Sequence, residues 1–568
     1  MEHRSWLNLP AFLRRHRYAL VAGALIVLGV ASRLALILLG WPHGNSEEGT
    51  MGVEAMHILL RGEHPIYLYG QNYMGVGEAY AGALAFWMFG VSTVALRLGM
   101  VTCYALFLLG VFALAHLLYS RRVALASLVA LVLGTPFLVH IELLADGGKA
   151  ETMALGALMF ALTSWLALTR PGQDTPPSRR QHALRSAGFI AWGVMAGFGL
   201  YTYSIIAPFV LTTGLLLWLT CRRELRGWAL ALPLAGLLVG LLPDILYTVT
   251  TPLSNNPIAV FWSLHQSLNS GAASGPQPLK QLDGTLLYTL PMVTGLASLY
   301  PVEALPLYGP ASLSTLIAVV VGGGWSLGYL ALLAAATWRP FQALRASDAL
   351  RWPTSRSIAG PAMARGEALA LARLLLSLTA WLTIAAYLLS PTAANNPHSG
   401  RYMIGLLVIT PAIFWPLLSA TGDAKRAMRW GWRLAALALV AVALVVGAVS
   451  TAQSLPDALA ADGRDVRFVN ALLAQGVTRL YSDYWTCDLI NFKSRERLTC
   501  AVINDYSHPG LTRYRPYYDA VRADPAAPYV FSHHSALERT FLIHAAQTGQ
   551  RYTLRIIDGH DVYTPSGA

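Results

Sequence analysis

Acidic residues are scarce in the apolar part of this sequence, and several of those present stand beside long hydrophobic runs. Glu47 and Glu48 directly follow the first run, Glu78 opens a later helix-like stretch, and Asp146 and Glu151 bracket Lys149 between two further runs. Ionisable groups next to hydrocarbon are costly, so they tend to be paired or functional. Carboxylates in such places can take a proton from an attacking hydroxyl or hold a divalent cation such as Mg or Mn. For a cation the expected ligands are Asp146 and Glu151. Arginine and lysine can hold a phosphate. Lys149 and Arg401, the latter between His398 and Tyr402, are the isolated cations near these acids. Tyr67, Tyr69 and Tyr73 lie between Glu48 and Glu78, with Tyr80 just beyond.

Each residue also has a plainer reading. Asn45 or Ser46 as N-cap, with Glu47 and Glu48 in the first turn, is ordinary helix-terminus chemistry. Glu151 at the start of a span has the same explanation, and Glu78 can be the solvated face of its helix. Arg401 and Arg33 can be anchors that reach to the membrane surface, and the tyrosines an aromatic belt.

The elements that must position these residues are membrane spans. Of 568 residues, 55% are hydrophobic and only 12% charged. A helix crossing the hydrocarbon needs about 20 apolar residues, and continuous runs of that kind fit helices, not the alternating strands of a barrel. The runs predict eleven spans, at 18–40, 94–119, 123–140, 151–169, 187–203, 205–220, 227–249, 312–337, 372–390, 402–420 and 433–452. Tyr201–Ser204 decides whether 187–220 is one helix or two; the basic loops at Arg222–Arg226 and Arg339–Arg365 argue for two.

The net charge of +12 follows topology. Arg14, Arg15 and Arg17, Arg121 and Arg122, Arg170 to Arg185, Arg222 to Arg226, Arg339 to Arg365, and Lys425 to Arg433 occupy alternate loops. Positive residues mark the cytoplasmic side, so the N-terminus is expected there, and nucleic acid is not an expected partner. The first run is long and lacks a small-residue cleavage pattern, so it reads as a signal anchor. The first non-cytoplasmic loop, 41–93, carries two amphipathic helices, Glu47–Leu60 and Glu78–Phe89, that suit the interface better than the bilayer interior. The other non-cytoplasmic segments are His140–Ala150, Thr250–Pro310 and Pro391–Arg401.

Near Ser454 the composition becomes that of a soluble domain. The expected division is a membrane part, 1–453, and a soluble part, 454–568, outside the cytoplasm. Helices at 466–473 and 536–546 and strands at 478–482, 498–503 and 552–557 suggest a small α/β layer. Cys487 and Cys500 fall in it, where an oxidising compartment permits a disulfide. The fold class is therefore mainly α: a polytopic membrane helical bundle with a small C-terminal α/β soluble domain.

The order of these pieces resembles the polyprenyl-phosphate-sugar-dependent glycosyltransferases of the GT-C superfamily, in particular the protein O-mannosyltransferase and lipid A aminoarabinose transferase group. The resemblance rests on Ser46-Glu47-Glu48-Gly49, on Ile58 to Pro65, on Tyr69-Gly70-Gln71-Asn72-Tyr73-Met74-Gly75 with Glu78-Ala79-Tyr80, and on Phe89-Gly90 and Leu96-Arg97-Leu98. It continues at Gly147-Gly148-Lys149-Ala150-Glu151-Thr152 and Gly400-Arg401-Tyr402. It covers residues 15–170 well, thins through the middle and returns at the tenth span.

The resemblance implies a lipid-linked sugar donor met at the membrane surface, and an acid in the first non-cytoplasmic loop that deprotonates the acceptor hydroxyl for inverting attack. The acceptor can be lipid, glycan or protein. By position the base is Glu47, with Glu48 adjacent. The family's first acid is usually Asp, and the longer Glu arm leaves the role open between the two. Glu151 matches the second-loop acid, with Asp146 as its rival, and Arg401 and Lys149 are the candidates for the donor phosphate. Glu78, Tyr69, Tyr73, His398 and Tyr402 complete the expected substrate contacts. The implied setting is a bacterial inner membrane with a periplasmic active site. A rival reading is a transporter or flippase of lipid-linked substrates, which needs charge within the bilayer; Asp244 is its best candidate. A third is a tethered binding protein that works through its C-terminal domain.

Overall fold

A computed structural model describes residues 9–170, 178–260, 262–263, 277–296, 299–347, 363–419, 426–504 and 508–566. Arg351, Arg356, Lys425 and part of the 250–310 loop lie outside these. Among the described residues, eight helices are long and apolar enough to cross a membrane, and three bent pairs bring the number to eleven if each pair is one span.

The bends have local causes. Helix α1 (Leu9–Leu38) is followed by α2 (Ser46–Arg61) and α3 (Gly77–Phe89) in the first loop, then by α4 (Thr93–Leu118), α5 (Arg121–Leu133) and α6 (Pro136–Leu143). Between α5 and α6, Gly134 at φ +67° and Pro136 break the third predicted span by 76°. Carbonyls freed by such a break find no partner in hydrocarbon. Arg33 of α1 supplies it, donating to the Val132 and Leu131 carbonyls at 2.9 and 3.3 Å and to Glu142 at 3.1 Å. It is 3% exposed, so it is a buried strut and no surface anchor.

Helices α7 (Lys149–Leu168), α8 (Arg179–Thr202), α9 (Ala207–Cys221) and α10 (Ala231–Gly240) continue the bundle. Tyr203 is extended between α8 and a short turn before α9, so the doubtful stretch is two helices, as its flanking charges indicated. Gly193 and Gly197 of α8 meet Gly236 and Gly240 of α10 backbone to backbone: a Cβ on Gly193 would stand 2.1 Å from the Pro233 carbonyl oxygen. This small-xxx-small contact replaces hydrophobic burial as the source of packing energy in a membrane.

The two first-loop helices lie within a residue of their predicted limits and pack on each other and on α4 through Ala55, Ala79, Ala83 and Leu96. Leu84, Trp87, Met88 and Phe89 of α3 are exposed.

A 49-residue helix, Arg426–Ala474, runs unbroken through the change in composition near 453. Beyond it a five-stranded sheet has the order β2-β1-β3-β5-β4, from β1 (Arg479–Ser482), β2 (Thr499–Val502), β3 (Tyr529–Ser532), β4 (Tyr552–Ile557) and β5 (His560–Pro565). The three predicted strands are β1, β2 and β4. The sequence reading missed β3 and β5 and the helices Tyr484–Lys493 and Arg515–Arg522, the last of which buries only Tyr517 and Val521. A disulfide joins Cys487 to Cys500, fastening helix Tyr484–Lys493 to β2. That helix lies on α2: a Cβ on Gly49 would stand 2.5 Å from the Asp488 backbone, and one on Gly52 would stand 2.5 Å from the Phe492 ring.

Candidate active site

The start of α2 sets two adjacent carboxylates on different paths. The Asn45 side chain caps the helix, accepting from the Glu48 backbone N–H at 2.8 Å. Successive residues of an α-helix point about 100° apart. Glu48 turns inward, is fully buried, and accepts from Arg97 Nε and Nη2 at 2.7 and 2.6 Å. Both its oxygens are thereby engaged in a two-point charge-assisted pair. Glu47 turns toward a polar cleft, with its side chain 15% exposed.

Two guanidinium groups flank Glu47. Arg401 Nη1, from the turn that opens the tenth predicted span, is 3.9 Å from one Glu47 oxygen, and Arg513 Nη2, from the C-terminal domain, is 3.8 Å from the other. Arg401 lies over the Tyr402 ring at 5.2 Å, and its Nη2 donates to the Tyr402 hydroxyl at 3.5 Å. Arg513 Nε and Nη2 donate to the Tyr484 hydroxyl at 3.2 and 2.6 Å. Arg401 Nε and Arg513 Nη1 are both buried without a hydrogen-bond partner. Buried donors in that state cost free energy until an acceptor arrives. Tyr73 belongs to the same cleft: burial pushes its hydroxyl up, and Tyr402, Arg513, Glu47 and Arg401 are its electrostatic neighbours.

Glu78 serves the next loop. Gly147 and Gly148, at φ +106° and +70°, form a turn whose N–H groups donate to the Glu78 carboxyl at 2.9 and 2.8 Å. Burial, with the Glu151 carboxyl hydrogen-bonded beside it, holds Glu78 well above the usual carboxylate range. Lys149 instead pairs with Asp146 at 2.6 Å, and Asn45 Nδ2 reaches the same Asp146 oxygen at 3.5 Å.

The remaining expected residues separate. Tyr69 donates its hydroxyl to Glu63 at 2.6 Å, lies 3.0 Å from His57 Nδ1 and packs on Tyr514, so it ties α2 to the C-terminal domain. His398 is exposed, with Nδ1 2.9 Å from the Tyr288 hydroxyl. Asp244 accepts a hydrogen bond from Tyr67 of the first loop. Among the described residues no group of three or more His, Cys, Asp or Glu side chains could hold a metal. Asp146 and Glu151 each keep one buried oxygen unpartnered, but one has a lysine as partner and the other a carboxyl.

Two partners in this site went unseen in the sequence. Arg97 sits in a motif that supports the family resemblance, yet nothing in its spacing points to Glu48. Arg513 lies in an Arg- and Tyr-rich stretch with no apolar periodicity, far along the chain from Glu47.

No family model matches this chain, and no curated protein matches its sequence. Solved structures do share its fold. ArnT from Cupriavidus metallidurans, bound to undecaprenyl phosphate, superposes with a TM-score of 0.57 and 17% identity over 96% of this chain and 98% of that one. The archaeal oligosaccharyltransferase AglB from Archaeoglobus fulgidus, in complex with an inhibitory peptide and a dolichol-phosphate, gives 0.52 and 13% over 98% of this chain and 75% of that one. The same oligosaccharyltransferase tethered to an acceptor peptide gives 0.53 and 13%, over 98% and 75%. The chain is a multi-pass membrane protein with the GT-C fold that its motifs indicate.

Proposed function

We propose that this protein is an inverting membrane glycosyltransferase that moves a sugar from a polyprenyl-phosphate donor to an acceptor hydroxyl, with Glu47 as the base. One observation carries the reading: Glu47 is kept out of the Glu48–Arg97 pair and stands between Arg401 and Arg513, each with a buried, unpartnered N–H.

The steps follow from that geometry. The donor phosphate engages Arg401, Arg513 and Lys149, drawing the guanidinium groups off Glu47. The free carboxylate takes the proton of the acceptor hydroxyl. The acceptor oxygen forms its bond to the anomeric carbon as the bond from that carbon to the phosphate oxygen breaks. The electron pair leaves with polyprenyl phosphate, and the configuration inverts. Negative charge developing on the phosphate is met by cations already held in place, the usual source of the largest catalytic term. Tyr73 and Tyr402 line the sugar.

A polyprenyl donor cannot leave the bilayer, so its sugar is met where the first loop lies. By the positive-inside pattern that side is periplasmic, in a bacterial inner membrane, with the N-terminus cytoplasmic and the 454–568 domain above the site. The acceptor is a lipid, glycan or protein hydroxyl. Asp244 is engaged by first-loop Tyr67, which favours a strut over a transport relay.

The test is protein in nanodiscs, a panel of polyprenyl-phosphate sugars and an envelope extract, with release of polyprenyl phosphate followed by mass spectrometry. Wild-type release that is lost in Glu47→Gln supports the proposal; equal release from both removes Glu47 as base.

A further inference from the structure

We infer that the turn Arg495-Glu496-Arg497 of the C-terminal domain is a contact for anionic lipid headgroups, held at the bilayer surface beside the exposed apolar face of α3. The inference concerns how this domain meets the membrane and does not depend on the transferase reading.

The turn is not what its backbone alone would select. It ends helix Tyr484–Lys493: the Arg495 N–H donates to the Phe492 carbonyl at 2.9 Å, and the Glu496 N–H to the Asn491 carbonyl at 2.8 Å. In that helix-ending pattern glycine usually takes the left-handed position. Here Arg495 and Glu496 stand in that region in succession, at φ +54° and +58°. Non-glycine residues held there carry strain that their surroundings must offset. Glu496 has a visible use. It accepts from Arg61 Nη2 at 2.5 Å and from the Tyr517 hydroxyl at 2.8 Å, and lies 2.9 Å from His57 Nε2, which fixes the turn against α2.

Arg495 has a different one. It is exposed, and its Nη2 donates to the Val91 carbonyl at 3.0 Å. Val91 marks the edge of the bilayer, because only Gly90, Val91 and Ser92 separate α3 from α4, and α4 is a span. A link that short reaches about 10 Å at most. On α3 itself Tyr80, Leu84, Trp87 and Met88 form an exposed stripe at i, i+4, i+7 and i+8, the pattern of a helix lying in the interface. A guanidinium bonded to Val91 therefore stands at headgroup level. It carries five N–H donors, and the Val91 contact uses one. Arg497, two residues on, is also exposed, and its Nε donates to the Ser494 carbonyl at 3.1 Å. Among the described residues neither arginine pairs with a carboxylate, whereas the charge of Glu496 is met by Arg61. Two unneutralised cations beside an apolar, aromatic stripe match a layer of anionic phosphates over acyl chains.

The experiment uses the full chain in nanodiscs of phosphatidylcholine, with and without phosphatidylglycerol, and reads amide hydrogen exchange of Lys493–Leu498 by mass spectrometry. Phosphatidylglycerol is expected to slow wild-type exchange there by about fivefold for each arginine engaged, and high salt to erase the effect. Arg495→Gln with Arg497→Gln is expected to lose the slowing, and Arg495→Lys with Arg497→Lys, which preserves the charge, to keep most of it. If the Gln pair melts below wild type, Arg497→Gln alone carries the test, since it leaves the Val91 contact intact; it is expected to lose about fivefold of the slowing. Equal wild-type exchange in the two bilayers overturns the inference, and so does a slowing that survives in the folded Gln variants. Soluble glycerol phosphate that reproduces the slowing in phosphatidylcholine alone would make the turn a phosphate site and overturn the lipid assignment. No sugar donor is present, so these outcomes are independent of turnover.

Discussion

Arg97 grips Glu48 through two hydrogen bonds of 2.7 and 2.6 Å in a fully buried pair, and so divides two adjacent carboxylates into a buried strut and one that stays outside the pair. A buried ion pair adds little net stability by itself, because desolvation offsets most of its attraction. Removing one partner is different, since it leaves a charge stranded.

The two glutamates should therefore respond oppositely to the same change. Glu47→Gln is expected to leave folding intact and to lower turnover by about 10²–10⁴-fold, the span for a general base. Glu48→Gln is expected to destabilise by about 3–5 kcal/mol through the stranded Arg97, with activity lost in proportion to folded protein. Thermal melting and turnover on the same preparations separate the cases. A Glu48→Gln protein that melts like wild type yet turns nothing over would reassign the base.

The C-terminal domain brings Arg513 to within 3.8 Å of a Glu47 oxygen. Arg513 is held by the Tyr484 hydroxyl and has one buried nitrogen free. A hydrogen bond to a charged group is worth about 1.5–3 kcal/mol. Arg513→Ala should thus lower kcat/KM for the donor by about 10–100-fold. Arg513→Lys should recover only part of this, since lysine lacks the planar fork. Tyr484→Phe, which frees the guanidinium without deleting it, is expected to fall between wild type and Arg513→Ala. Equal donor kinetics in all four proteins would confine Arg513 to a structural role.

How far the sequence could lead is visible at this same place. Helix α2 was legible because its cap, its first-turn acids and its apolar spacing agree on one helix, and the structure places it within a residue. Which of Glu47 and Glu48 is buried in an ion pair was not. Neighbours on a helix differ only in direction, and direction depends on Arg97 and on Asp488, which a linear reading does not bring near. The breaks at Gly134 and between Gly400 and Leu418 were hidden because a bent span keeps the composition of a straight one. Arg33 looked like an anchor for a related reason, since the carbonyls it satisfies exist only because of the bend. The small α/β domain was half legible: β1, β2 and β4 are apolar enough to read, while helix Arg515–Arg522 is mostly polar.

Asp488 predicts a pH dependence in the contact between α2 and the C-terminal domain. Burial raises its carboxyl from 3.8 to about 6, although Arg513 and the Thr50 and Ser46 hydroxyls pull it back. Between those values the folded protein keeps a proton that the unfolded chain releases, so stability falls as pH rises from about 4 to about 6. The shift corresponds to roughly 3 kcal/mol at 1.36 kcal/mol per pH unit. Asp488→Asn should remove this part of the slope. Melting temperatures of wild type and variant across pH 4–7 check it, and parallel curves would show that Asp488 does not titrate in this range.

The same contact leaves no room for a methyl group. A Cβ on Gly49 would stand 2.5 Å from the Asp488 carbonyl carbon and oxygen and the Leu489 nitrogen, all backbone atoms that cannot rotate away. Gly49→Ala is therefore expected to separate helix Tyr484–Lys493 from α2, despite alanine's better helix propensity of about 1 kcal/mol. Gly62, at φ +67° with open space around it, serves as the contrast within the same element: alanine there meets backbone strain and no neighbour. Separation would move Tyr484, and with it Arg513, away from Glu47, so Gly49→Ala should lose both activity and protease resistance of the C-terminal domain. Gly62→Ala should keep the docked arrangement and melt slightly lower. Limited proteolysis of the two variants in nanodiscs distinguishes them, and a Gly49→Ala protein as resistant and active as wild type would mean that the contact does not hold the site together.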